Sequence, residues 1–489
     1  MTPRRGKGGA GRDRAVQGDA DPRAVGRTLA PASARGARKG YGGARRATTL
    51  PVARRVSPTA RPEQPPNADA VSHEHVPAYL DTPQAVDAFL GSIANARQIA
   101  LDTEGASFHR FVDRIYLLQL STREHTAVID PLPLGSPAGL GSLLEDRKVE
   151  VVFHDADYDL RLLRQDYGWK VTNVFDTRIA AQLAGVRAFG LAALLESYFG
   201  VKLDKKHQRA DWSMRPLTEG MLAYAAQDTI HLLGLRDRLE NELKKLGRLE
   251  WAREEFARLE AVQWDAEDEA TTFLRVKGAR DLTRRELALL RELVPWRDAL
   301  ARSLDKSTFR VVSNDVLLEV SRQAPRTRDA LAGIKGMPRG IVERNGEEIL
   351  ALVERGVAVP DAELPRFPRS PRWERDPDFD ARTARLKSVR DEAAQRLDLD
   401  PGVLCSRERL EAVARRRPAT MDELLAMPEL RRWQVEVLGP GFLKTLAQEA
   451  AAPAKSAASS TSGTASAPSP APAPRAAARP KDDESPYRD

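Results

Sequence analysis

Four short apolar runs, parted by turn residues, limit the folding choices of this chain more than any other feature: residues 97–104, Ile115 to Ser121 (IYLLQLS), Thr126 to Asp130 (TAVID) and Glu150 to His154 (EVVFH). They have the length and the β-branched or apolar composition of strands. The first three follow one another so closely that an antiparallel meander is expected, since parallel neighbours need a crossover of roughly a dozen residues. After His154 the apolar spacing turns helical through Leu160, Leu162 and Leu163. A fifth strand is expected at Val171 to Phe175, and helices follow it. The pattern reads as a mixed α/β domain of roughly 170 residues.

At 489 residues the chain exceeds one ordinary core, so roughly two to four domains are expected. Its net charge of +7 hides an asymmetry: residues 1–61 hold fifteen Lys and Arg against three Asp, which leaves the remainder acidic. That Gly, Arg, Ala and Pro segment lacks an amphipathic period, so a disordered basic tail over 1–75 is expected, fit to hold a polyanion. Its Gly-Gly pairs, prolines and scattered Asp argue against an organelle presequence. Residues 451–489 are mostly Ala, Pro and Ser, without Ile, Leu, Val, Met, Phe or Trp, and are expected to be a second disordered tail. No apolar run approaches the roughly 18 residues that span a bilayer, so no membrane association is expected. The single cysteine, Cys405, excludes an internal disulfide framework and fits a reducing, cytoplasmic compartment.

Asp102-Thr103-Glu104 closes the strand Ile99-Ala100-Leu101. Residues two apart share a strand face, so Asp102 and Glu104 converge while Thr103 faces away. Alone, the pair reads as a polar strand end. Further acids follow in HDADYDLRLL, where Asp155 and Asp157 suit the cap and first turn of a helix. Asp159 differs, because Leu162 and Leu163 lie three and four residues on and turn it inward, which costs several kcal/mol without a cation. Residues 218–247 read as one long helix with Met221, Ala225, Leu232 and Leu235 along a stripe. Asp228 falls on that stripe, and Tyr224 lies one turn before it. Asp102, Glu104, Asp159 and Asp228 together make a hard, oxygen-rich set suited to Mg²⁺ or Mn²⁺. Two such ions about 4 Å apart activate a water and stabilise the leaving oxygen of a phosphodiester.

The motifs LDTEG, HDADYDL and YAAQD resemble those of ribonuclease D, in the DEDD superfamily of 3′-to-5′ exonucleases with a ribonuclease-H-like fold. Tyr224 stands four before the last Asp, as in the tyrosine branch, and Ala223 stands where the other branch has His, so His231 is not that base. LDKKHQRADWSMRPL resembles the stretch leading into the last helix of the same family. The resemblance implies that Asp102 bridges two metals, that Glu104 and Asp228 complete one site and that Asp159 serves the other. It implies that Tyr224 orients the attacking water. Gly105 departs from the Phe or other apolar residue that often follows Asp-Thr-Glu, and Phe108 is the candidate to replace that contact. Trp212 and Arg215 are candidates to stack a base or grip phosphate, or else to anchor their loop.

A shift of 93 residues aligns Leu304-Asp305 with Leu397-Asp398, Ser313 with Ser406, Pro325 with Pro418 and Asp329 with Asp422. Both copies read as short amphipathic helices and resemble the helicase-and-ribonuclease-D C-terminal (HRDC) domain. The expected architecture is therefore an α/β ribonuclease-H-like exonuclease domain at 76–250 followed by two all-α HRDC-like domains, at 280–357 and 381–450, with a linker at 358–380. The resemblance implies a monomeric 3′-to-5′ exoribonuclease that trims structured RNA such as tRNA precursors and releases nucleoside 5′-monophosphates. The alternatives are a DNA exonuclease and a non-catalytic RNA-binding scaffold.

Overall fold

The computed structural model describes residues 77–204, 206–264, 268–368 and 376–451. The two expected tails lie outside the described residues, as does part of the expected linker. A six-stranded sheet is built from β1 (Ala78–Leu80), β2 (Gln98–Glu104), β3 (Leu117–Ser121), β4 (Thr126–Ile129), β5 (Glu150–Phe153) and β6 (Val174–Asp176), in the order β1-β4-β3-β2-β5-β6. The expected meander is present: β2 with β3 and β3 with β4 are antiparallel. The pairs β1 with β4, β2 with β5 and β5 with β6 are parallel, which makes the sheet mixed.

Three strands differ from expectation. Strand β3 begins at Leu117 rather than Ile115, whose N–H donates to the Asp166 carboxylate at 2.7 Å. Strand β1, Ala-Tyr-Leu, is too short to show a period. Strand β6 begins three residues later than Val171, because Asn173 takes the left-handed φ of 54° and Thr172 is tied by its N–H to the Leu144 carbonyl at 3.1 Å.

Helices cover both faces of the sheet: α1 (Pro83–Ser92), α2 (Pro131–Leu134), α3 (Ala138–Leu144), α4 (Asp157–Tyr167), α5 (Thr177–Ala184), α6 (Leu191–Phe199), α7 (Glu219–Ile230), α8 (Leu232–Leu246) and α9 (Leu249–Leu259). The period-two rule divides β2 and β3 between them. Ile99, Leu101, Leu118 and Leu120 pack with Leu140, Leu144, Leu162 and Leu163. Leu117 of β3 and Val128 of β4 pack with Trp212, Ala225 and Ala226 under α7. The single helix expected over 218–247 is two, interrupted at His231. The interruption re-aims the buried face, since α7 meets β3 while Leu232, Leu235, Leu239 and Leu243 of α8 join a different core.

The repeat is a structural one. The first copy is α10 (Arg284–Leu304), α11 (Thr308–Val311), α12 (Asn314–Gln323), α13 (Arg328–Ala332) and α14 (Arg339–Ala358). The second is α15 (Phe379–Leu397), α16 (Pro401–Leu404), α17 (Arg407–Arg416), α18 (Met421–Leu425) and α19 (Arg432–Ala451). Equivalent residues do equivalent local work: Ser313 and Ser406 cap α12 and α17, and Asp305 and Asp398 end α10 and α15 with φ of 44° and 49°. The second copy shares one core with α5, α8 and α9, where Trp251 and Trp433 stack at 4.9 Å and Arg431 meets Glu255 at 3.0 Å. The first copy has its own core and reaches the sheet domain through Phe111.

Candidate metal centre

Strand β2 ends on the two acids, and its pleat places Asp102 and Glu104 on the face that α7 covers. Helix α7 starts where Thr218 accepts the Met221 N–H at 3.2 Å, and that start sets which residues meet the strand. Carboxylate oxygens of Asp102, Glu104 and Asp228 lie within 4.8 Å of one another. All three are half-buried.

Asp159 arrives from the first turn of α4, buried as its spacing predicts. It stands outside that trio, and its Oδ1 accepts the backbone N–H of Thr103 at 3.0 Å and the Thr103 hydroxyl at 2.5 Å. Thr103, which points away from Asp102 and Glu104, thus fixes the fourth acid. Asp155 and Asp157 serve elsewhere. Asp155 pairs with Arg178 and Asp157 with Arg161, and Ala156 takes the cap position expected for Asp155.

The electrostatics show a site short of positive charge. Burial, then Asp159, Asp228 and Glu104, hold the Asp102 carboxyl well above its ordinary range. Burial followed by Asp228 and Asp159 does the same to Glu104. Burial raises Asp159 to about 7 against the two Thr103 hydrogen bonds, and burial raises Asp228 to about 6. Among the described residues no Lys, Arg or His is ion-paired to any of the four. A hard divalent cation fits this donor set, because it supplies the missing charge and takes oxygen ligands.

The Tyr224 hydroxyl is held as a neutral phenol by burial, then by Asp228, Glu104 and Asp102. His207 meets its ring edge-on at 5.8 Å. His231 stacks on Phe199 at 6.1 Å.

Residues 77–244 match the family model for a 3′-5′ exonuclease domain, and residues 286–353 and 379–446 each match the HRDC domain. The chain is 32% identical over 370 residues to ribonuclease D of Granulibacter bethesdensis, covering 75% of this chain and 92% of that protein. It is 31% identical over 366 residues to ribonuclease D of Gluconacetobacter diazotrophicus, covering 74% and 91%. The chain belongs to the ribonuclease D family. With its 3′-5′ exonuclease domain it is a 3′-to-5′ exoribonuclease. The crystal structure of Escherichia coli RNase D, described as an exoribonuclease involved in structured RNA processing, superposes with a TM-score of 0.60 at 26% identity, covering 76% of this chain and 99% of that one. No described helix is long and apolar enough to cross a membrane.

The candidates taken from the ribonuclease D stretch before α7 need correction. Trp212 is 2% exposed and lies between the sheet and Tyr224, 6.0 Å from that ring, so it has no open face for a base. Arg215 has committed every N–H it owns. Nε and Nη2 grip the Asp130 carboxylate at 2.5 and 2.8 Å, Nη1 donates to the carbonyls of Trp212 and Met214 at 2.7 Å each, and Nη2 reaches the Tyr116 carbonyl at 3.0 Å. Neither a phosphate nor a base finds a donor there. The departure at Gly105 also has a cause. A Cβ at this position would lie 2.6 Å from the Tyr158 hydroxyl, which donates to Asp113 at 2.7 Å. Phe108 is 45% exposed and packs beside His109 and Phe309, each 5.2 Å from its ring.

Sequence reasoning passed over Gln119. It stands in register with Asp102 across the β2–β3 ladder, so the two side chains share a face. Its amide is fully buried, and neither Nε2 nor Oε1 has a partner among the described residues. The signal was the polar residue inside the apolar run IYLLQLS.

Proposed function

We propose that this ribonuclease D-family enzyme trims the 3′ ends of structured RNA such as tRNA precursors by two-metal phosphodiester hydrolysis, releasing nucleoside 5′-monophosphates. The ions in this reading are Mg²⁺ or Mn²⁺, and the enzyme works as a monomer in the cytoplasm. One observation carries it: three carboxylates from a strand and a helix gather within 4.8 Å, short of positive charge, with a fourth acid beside them and a phenol one turn from Asp228. The four carboxylates would hold divalent cations, which would supply an activated water and offset charge on the leaving oxygen.

In this reading Asp102, Glu104 and Asp228 would hold one ion, and Asp159, with Asp102, would hold the other. Thr103 keeps Asp159 aimed with two hydrogen bonds. Tyr224, neutral throughout the physiological range, donates its hydroxyl proton to orient the attacking water. Residues 76–250 do the cutting, the helical domain at 280–357 guides the substrate, and the one at 381–450 braces the fold.

The test is incubation of a 3′-extended tRNA, and of a DNA of equal length, with and without chelator. Loss of nucleoside 5′-monophosphates from the 3′ end of the RNA, stopped by chelation, is expected. Preference for DNA, products with 3′-phosphate ends, or activity that survives chelation would overturn the reading.

A further inference from the structure

The loop that leaves the acid-bearing strand is held by the first helical domain. Asp305 accepts the Phe111 N–H at 3.3 Å and meets Arg110 at 3.3 Å. The Ser307 hydroxyl donates to the Ser107 carbonyl at 2.6 Å, and its N–H reaches the His109 carbonyl at 3.3 Å. This clasp sets two phenylalanines from different domains side by side, the rings of Phe108 and Phe309 being 5.2 Å apart and tilted by 50°. The Arg310 guanidinium lies over the Phe108 ring at 4.9 Å. Phe309 is 47% exposed and Phe108 nearly as much, so the contact leaves about half of each ring open to solvent. Folding alone gives no reason to leave that much aromatic surface bare. Arg310 and, four positions before it, Lys306 are both exposed, and neither has an ion pair among the described residues.

The internal repeat supplies a control. Shifted by 93 residues, Phe309 and Arg310 become Gly402 and Val403, on the matching short helix α16 of the second copy. The helical fold therefore forms without this pair, and Phe309 and Arg310 are an addition to it. They are added where the first copy meets the loop that follows Glu104.

We propose that Phe108, Phe309 and Arg310 form a stacking platform for the single strand that enters the metal centre, seating bases on the 5′ side of the nucleotide being removed. Aromatic faces with unpaired cations beside them suit a strand of bases and phosphates, since every base has a π-face and every phosphate a charge. Phe108 is four residues beyond Glu104, so the chain places it within about 14 Å of that acid. A stacked strand rises about 3.4 Å per nucleotide, which puts the platform within about four nucleotides of the cut end. The inference rests on the reading above in one respect, that the metal centre takes a strand end.

The test measures binding by fluorescence anisotropy, with the full chain in chelator so that nothing is cut. The ligands are 5′-labelled single-stranded RNAs, one of about eight nucleotides, twice the reach of the platform, and one dinucleotide, too short for it. Phe309→Ala is expected to weaken binding of the longer RNA by about 5- to 100-fold, the worth of one stacked base, and to shrink its advantage over the dinucleotide by a similar factor. Phe309→Tyr keeps a flat ring and is expected to stay within about twofold of the parent protein, which separates stacking from folding. Arg310→Lys keeps the charge, loses the plane and should fall between them. Longer-strand affinity within twofold of the parent for Phe309→Ala overturns the platform. So does an equal loss for the alanine and tyrosine variants, or an equal loss for both RNAs. A chain that binds through the platform but leaves the tRNA uncut would keep this inference and refute the proposed reaction.

Discussion

Arg215→Ala separates two roles that an arginine before a catalytic helix can have, and the structure assigns the magnitude. Asp130 is 1% exposed and accepts from Tyr79 at 2.5 Å, from the Leu132 N–H at 3.0 Å and from both sides of the Arg215 fork. Removing the guanidinium leaves a buried carboxylate with one phenol and one amide, and also strips the carbonyls of Trp212, Met214 and Tyr116 of a donor. Breaking a buried pair from one side costs about 3–5 kcal/mol. In a domain of this size, at about 2–4 °C per kcal/mol, that amounts to a fall of about 6–20 °C in Tm. An arginine that gripped phosphate would instead raise KM and leave the melting temperature alone. Scanning calorimetry beside KM on RNA decides between them, and Asp130→Asn provides the cycle, because the double variant should lose less than the sum of the single ones. A melting temperature within about a degree of the parent, with a raised KM, would refute the anchoring argument.

The same pair has a pH signature. Burial alone would raise the Asp130 carboxyl, but the hydrogen bonds from Arg215, Tyr79 and Leu132 outweigh it and hold the group below its ordinary value. A carboxyl depressed on folding contributes stability above its unfolded pKa of about 3.9 and loses it as the pH falls through the folded value. The stability gap between the parent and Arg215→Ala should therefore be widest near neutrality and close in acid.

Three further outcomes are expected. Asp102→Asn should abolish both RNA trimming and calorimetrically detected Mn²⁺ binding while the circular dichroism spectrum is kept; retained Mn²⁺ binding would remove Asp102 from the site. Asp159 at about 7 and Asp228 at about 6 have the opposite sign to Asp130, so the chelated protein should lose stability as the pH rises from about 4 to 7 and regain it with Mn²⁺, whereas a flat profile in the parent minus Asp159→Asn difference would contradict these shifts. Gln119→Leu should raise the metal-free melting temperature by removing an orphaned amide, yet weaken Mn²⁺ by about 10- to 100-fold if that amide completes the ligand shell of Asp102; unchanged affinity would show that it does not.

What the sequence made legible was whatever a local period decides. Two-residue spacing placed Asp102 and Glu104 on one face, and the helical stripe through Asp228 brought that acid against them. What stayed hidden depends on partners far along the chain. Arg215 grips the Asp130 carboxylate, 85 positions away, and nothing within DWSMRP shows that. The break at His231 was invisible because both halves of the long pattern are good helix, and only the two cores they serve tell them apart.

The two helical copies carry this contrast furthest. Asp305 and Asp398 share a left-handed φ and end equivalent helices, which the 93-residue shift anticipates. Their carboxylates nevertheless diverge: Asp305 holds the loop behind Glu104, and Asp398 pairs with Arg187 at 2.9 Å just beyond α5. A backbone role is repeated because the same local geometry demands it at both ends. The partner is not repeated, since each copy meets a different surface of the sheet domain. One copy is thereby built into the common core, and the other meets the loop that follows Glu104, where Phe309 and Arg310 stand in place of Gly402 and Val403.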